Sequence, residues 1–158
     1  MVWHATVPTF VDGLAVLQKL AEQAPELDGV KVFTRNPDYQ QAQLPYLLIT
    51  RVGGDSLRPE FQSSYFVHFQ VWSDKTAQYP DDAFQAAFEL SQAVARVYYR
   101  AWKQQVLALD NDGHVIGWIC DWRESSGFQE IPDPDLPQVG RYIGVYDLVI
   151  RNRRPSST

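Results

Sequence analysis

Ser64-Tyr-Phe-Val-His-Phe-Gln-Val-Trp72 decides how this chain folds. Tyr65, Val67, Phe69 and Val71 alternate with Phe66, His68, Gln70 and Trp72, and a period of two puts neighbouring side chains on opposite faces of a strand. The first set is the more uniformly apolar and predicts the face turned toward the core. After a connection over 73–80 the period changes. Asp81 or Asp82 is placed to cap a helix running to about Lys103. Phe84, Ala87, Phe88, Ser91, Val94, Ala95 and Tyr98 trace one apolar stripe, which Leu90 and Val97 widen. Aspartates at its start and Arg96, Arg100 and Lys103 toward its end suit the helix dipole.

Working outward, residues 7–24 carry Phe10, Leu14, Leu17, Leu20 and Ala21 at helical spacing, with Pro8 in the first turn, Thr6 or Thr9 as cap and Pro25 as stop. Residues 30–33 predict a short strand and 35–43 a loop. Pro45 opens a strand over 46–52, which Gly53-Gly54 ends in a turn that calls for glycine. Residues 57–62 predict a loop. Asn111-Asp112-Gly113 is a turn signal joining strands at 106–109 and 115–123. Residues 127–138, with three prolines, predict a loop, Ser125 and Ser126 belong to loop as well, and 141–151 predicts the last strand. The order predicts an α+β domain over 1–151, a mixed, mainly antiparallel β-sheet packed against two α-helices, followed by a flexible C-terminal tail at 152–158.

At 158 residues the chain suits one core, and 45% hydrophobic with 21% charged residues is ordinary for a globular protein. Five Trp, eight Tyr and eight Phe are many for this length and suit interfaces as well as a core. A formal charge of −5 argues against general nucleic-acid binding, the short basic run at Arg151, Arg153 and Arg154 notwithstanding. One cysteine, Cys120, forbids an intrachain disulfide. The start of the chain has no secretory pattern and no stretch is apolar enough to span a membrane, so folding in a cytoplasm is expected.

The residues that could carry chemistry favour plain readings. His4, His68 and His114 lack a second histidine at metal-binding spacing. Cys120 stands beside Asp121, which disfavours a thiolate nucleophile. Gly53-Gly54 lacks the rest of any phosphate-binding motif. Asp110-Asn-Asp-Gly113 begins like a calcium loop and does not complete it, and the acidic run over 130–135 fits a solvated turn. No G-x-S-x-G is present. No catalytic group, metal or cofactor is expected. An enzyme with an aromatic pocket would need a convergent polar cluster, which the sequence does not supply.

Leu44-Pro-Tyr-Leu-Leu-Ile-Thr-Arg-Val-Gly-Gly-Asp55, the strand ending in Val71-Trp72, the long Ala-rich helix, Pro132-Asp-Pro-Asp-Leu-Pro137 and Arg141-Tyr-Ile-Gly-Val-Tyr-Asp-Leu-Val-Ile-Arg151 follow one another in an order that resembles the tail terminator proteins of long-tailed bacteriophages. The resemblance covers about residues 10–151. It implies a structural subunit without enzymatic activity that forms a hexameric ring on the head-proximal end of the tail tube. Such a ring stops tube polymerisation and presents the surface for head–tail joining. Its implied partners are further copies of itself, the tail tube protein, and a head–tail connector or stopper protein, with the genome passing through the channel without specific binding. The implied location is the tail–neck junction of the virion, after assembly in the host cytoplasm. Candidate contacts with other subunits or with neck proteins are Arg51, Asp55, Arg58, Asp74, Asp133, Asp135 and Arg141. Another neck protein, a head–tail connector or tail-completion protein, fits the same pattern.

Overall fold

The computed structural model describes residues 11–54, 61–76 and 78–152. Among them the chain forms α1 (Gly13–Gln23), β1 (Lys31–Phe33), β2 (Tyr46–Gly53), β3 (Gln62–Ser73), α2 (Ala83–Lys103), β4 (Ala108–Leu109), β5 (Val115–Glu130) and β6 (Gly140–Arg151), with short 3-10 turns at Pro25–Leu27 and Gln40–Gln43. The strands make one six-stranded sheet in the order β1-β2-β3-β6-β5-β4. Only β1 and β2 run parallel; the other four pairings are antiparallel. This is the expected α+β fold with a mixed, mainly antiparallel sheet and two helices.

The long central strands carry the alternation that the sequence showed. Tyr65, Val67, Phe69 and Val71 are buried, and they join Leu47 and Ile49 of β2 and Tyr146, Leu148 and Ile150 of β6 in a single core. Both helices pack there. Val16, Leu17, Leu20 and Ala21 come from α1, and Val94, Val97, Tyr98 and Ala101 from α2. Two tyrosines tie the layers by hydrogen bonds as well as by packing. The Tyr98 hydroxyl donates to the Leu17 carbonyl at 2.7 Å. The Tyr65 hydroxyl accepts from the Gly13 N–H and donates to the Val11 carbonyl, each at 2.9 Å. Burial pushes the Tyr98 phenol well above its ordinary range, so it remains a donor.

Several elements differ from expectation. Helix α1 starts at Gly13, with Asp12 as the cap whose carboxylate accepts from the Ala15 N–H, and Val11 and Asp12 are not helical. The expected caps Thr6 and Thr9, and Pro8, lie outside the described residues, as do most of the expected loop at 57–62 and residues 153–158. Asn152 lies in the expected tail and still donates its backbone N–H to the Phe61 carbonyl. The region 35–43 contains a 3-10 turn. The first strand after the Asn-Asp-Gly turn continues to Glu130, through Ser125 and Ser126 and into the expected loop. Its register slips against β6 at 119/121, 124/126 and 126/129. Each slip inserts a residue and breaks the strict alternation by which a strand is recognised. Helix α2 begins after Asp82 and buries Val97 as expected, but Phe88 is exposed, while Ala83, Ala86 and Ala101 face inward.

Candidate functional site

The face of the sheet turned away from the helices is built from the other phase of the same strands. Cross-strand pairing arranges it in rows. Thr50, His68 and Val145 form one row, Leu48, Gln70 and Ile143 the next, and Tyr46, Trp72 and Arg141 the last. His68, Gln70, Ile143 and Val145 are half-buried and take no part in the main core. Ile143 and Val145 thus lie partly covered among the polar Thr50, His68 and Gln70.

The last row is closed over by the chain between β5 and β6. Tyr46, Leu48, Trp72 and Val139 form a second buried cluster, with Phe33, Leu44 and Leu136 packed against it. The Tyr46 and Trp72 rings stack at 4.7 Å between centroids, and the Arg141 guanidinium lies 4.8 Å from the Trp72 ring centre. Such an approach of cation to indole is attractive. Arg141 also donates from Nη2 to the Gln70 side-chain oxygen at 3.0 Å. The Tyr46 hydroxyl, the Trp72 indole nitrogen and Arg141 Nε are nevertheless buried without a hydrogen-bond partner among the described residues. Burial, which outweighs the pull of Arg141, pushes the Tyr46 phenol up to about 12, with Asp133 adding to the rise. Beside this cluster a shallow hollow is lined by Tyr39, Gln40, Ala42 and Leu136. Tyr39 is 86% exposed, the most of any large apolar or aromatic side chain described, and has a left-handed backbone at φ 53°.

The expected contact residues are spread over the molecule. Arg51 folds back on its own chain, donating to the carbonyls of Gly53, Gly54 and Ser64, with its guanidinium 4.1 Å from the Tyr65 ring centre. Asp74 is exposed after β3 and accepts the Lys75 N–H. Asp133 and Asp135 sit together in the β5–β6 connection, where the Asp133 carboxylate accepts the Asp135 N–H at 3.0 Å. Asp55 and Arg58 lie outside the described residues. Among the described ones, Asp133, Asp135 and Arg141 fall near the second cluster. Reading single residues missed Tyr46 and Trp72 as their neighbours, although a tyrosine after Pro45 and a tryptophan in the less apolar phase of β3 were visible signals.

The reactive groups do not assemble a catalytic centre among the described residues. Cys120 is half-buried, and burial raises its thiol pKa, with Arg151 opposing and Asp121 adding. A nucleophilic cysteine needs the opposite shift. Asp110, Asp112 and His114 do come together, with ligand atoms within 4.8 Å of one another. The spacing of the histidines alone hid this grouping. The Asp110 carboxylate accepts the N–H groups of His114 and Asp112, which lowers its pKa and shapes the turn. Asp112 and His114 are exposed, as expected of a solvated turn. No described helix is long and apolar enough to cross a membrane.

No protein-family model matches this chain, and no curated protein matches it. Among solved structures it is similar to a chain of the virion of a native gene transfer agent (GTA) particle. The identity is 17%, the TM-score 0.51, and the match covers 89% of this chain and 97% of the other. At that identity the similarity speaks to the fold, and it spans nearly the whole of both chains.

Proposed function

We propose that this protein is a virion structural protein of the tail terminator type, which assembles as a ring on the head-proximal end of a phage tail tube. The observation that carries the reading is the similarity in fold, over 89% of this chain, to a chain of a gene transfer agent virion, joined to the order of strands, Gly-Gly turn and Pro-Asp loop that resembles tail terminators. A protein of this kind works through surfaces. The open sheet face and the Tyr39–Arg141 end offer aromatic and apolar groups for contacts, and a head-to-tail contact repeated by rotation closes a ring. The net charge of −5 per subunit disfavours tight binding of passing DNA. The chemistry expected of it is assembly, with no catalytic step. Its partners on this reading are copies of itself, the tail tube protein and a connector or stopper on the head side. The Arg51, Asp74, Asp133, Asp135 and Arg141 positions belong to those contacts, as do Asp55 and Arg58.

The test is tube growth. Tail tube protein polymerised with this protein should give tubes of arrested length, blocked at one end. Tubes that grow equally long in its presence would refute the assignment. Arrest of head joining with tube length unaffected would favour a different neck protein.

A further inference from the structure

We propose that the hollow between α2 and the start of β2 receives Arg153 and Arg154 of a second copy of this chain. The inference needs only that copies associate, and it stands or falls apart from the tail terminator reading. The hollow, of about 410 Å³, has apolar lining that includes Val30, Pro45 and Leu90, and it carries the carboxylates of Glu26, Asp28 and Glu89. Among the described residues no lysine or arginine lines it. Arg100 already binds both carboxylate oxygens of Glu26. Asp28 and Glu89 are exposed and form no ion pair among the described residues, and the side-chain partner of Glu89 is the neutral Gln85 amide. The hollow therefore offers two uncompensated carboxylates beside apolar surface. That combination suits arginine, whose methylenes cover apolar surface while its guanidinium meets a carboxylate at the rim.

The sequence supplies two arginines to match. Arg153 and Arg154 are the only adjacent pair of basic residues in the chain, and they directly follow Asn152, the last described residue. They cannot reach the hollow of their own copy. The Asn152 N–H donates to the Phe61 carbonyl, and Arg151 pairs with Gln62 at the start of β3. The hollow lies at the other end of that strand, where Ser73 lines it and pairs with Gly140. The 12 residues of β6 that separate the two ends span roughly 35 Å. Two residues past Asn152 add only ~7 Å of backbone.

A second copy is thus the source that the length of the chain leaves for this pair of cations. The contact joins two different surfaces at opposite ends of the subunit, so it repeats head to tail and closes a ring where the rotation allows.

The experiment measures mass against protein concentration by sedimentation at ~0.1 M salt. There, screening beyond about 10 Å relieves repulsion between distant charges of two copies and leaves pairs in contact largely intact. Reversing the tail charges (Arg153→Glu with Arg154→Glu) or the hollow charges (Asp28→Lys with Glu89→Lys) should each weaken association at least about tenfold, because each sets like charges against one another. An equal mixture of the two variants should associate as the native protein does, with the copies alternating, since opposite charges then meet at every contact. Thermal melts identify any variant that fails to fold; where the hollow variant does, the tail variant alone carries the test. Three results would overturn the proposal. The protein stays monomeric throughout; a folded tail variant or a folded hollow variant associates as the native protein does, so that another segment or partner fills the hollow; or the mixture of two folded variants stays as weak as either alone, so that the two sets of charges act at separate contacts.

Discussion

Replacing Gly54 with alanine should destabilise the protein far more than the same replacement at Gly113. Both glycines have positive φ, +115° at Gly54 and +82° at Gly113, so both substitutions force a side chain into a backbone region that favours glycine. Only one also meets an obstacle. A Cβ on Gly54 would stand 2.2 Å from the Ser64 carbonyl oxygen, whereas at Gly113 nothing lies within 4 Å. The obstacle is backbone and cannot rotate away. Ser64 pairs with Val149 in the sheet, and its carbonyl also accepts from Arg51 at 3.1 Å, so moving it disturbs β3 on both sides. Backbone strain of about 1–3 kcal/mol and overpacking of about 1–3 kcal/mol, less about 0.4–1 kcal/mol from the reduced freedom of the unfolded chain, leave ~1–5.5 kcal/mol at Gly54, with a central value of about 3 kcal/mol. At Gly113 the strain alone, about 1–2 kcal/mol, is mostly offset, leaving below ~1.5 kcal/mol. For a domain of this size the central loss at Gly54 lowers Tm by about 6–12 °C. Thermal and urea unfolding of both variants beside the native protein measure this. Equal losses at the two glycines would refute the claim that the Gly53-Gly54 turn requires close approach as well as positive φ.

Tyr98→Phe should lose about 1 kcal/mol with the hydrogen bond to Leu17, and Tyr98→Ala and Trp72→Ala about 3–5 kcal/mol each by urea unfolding, since both rings are buried. The paired guanidinium of Arg100 and two oxygens of Glu26 hold the Glu26 carboxyl at about 2, below its ordinary 4.5. A depressed carboxylate pKa adds stability that is complete above pH 4.5 and lost as pH falls toward 2. Because both side chains are more than a third exposed, the contribution is at most ~1 kcal/mol, and the stability gap between native protein and Glu26→Gln should shrink from pH 6 to pH 3; a gap that widens would reverse the sign. Association should strengthen from low salt to ~0.1 M, where screening acts over about 10 Å and relieves repulsion between subunits of charge −5; sedimentation showing dissociation by salt would contradict this.

The elements legible in the sequence are those whose side chains obey one period from end to end. β3 does so, and its core face was assigned residue by residue. α2 does so less fully, because a helix lying close to a sheet buries small residues. Ala83, Ala86 and Ala101 face inward where the larger Phe84 and Phe88 drew the stripe. β5 escaped in its second half because three register slips rotate its side chains out of phase and Ser125-Ser126-Gly127 reads as a turn. Of the candidate site, Arg141 and Asp133 were legible as charges near a Pro-Asp loop. The stacking of Tyr46 on Trp72 was not, since it joins residues 26 positions apart through the β2–β3 register. Fold and surface chemistry were thus partly visible, while the grouping that gives the surface its character is a product of strand pairing.

Electron microscopy of the purified protein mixed with unterminated tail tubes tests the central claim most directly. The account predicts a ring with sixfold symmetry seated on one end of each tube, and no further growth from that end. Bare tube ends, or a bound form with twofold symmetry both in solution and on the tube, would contradict it.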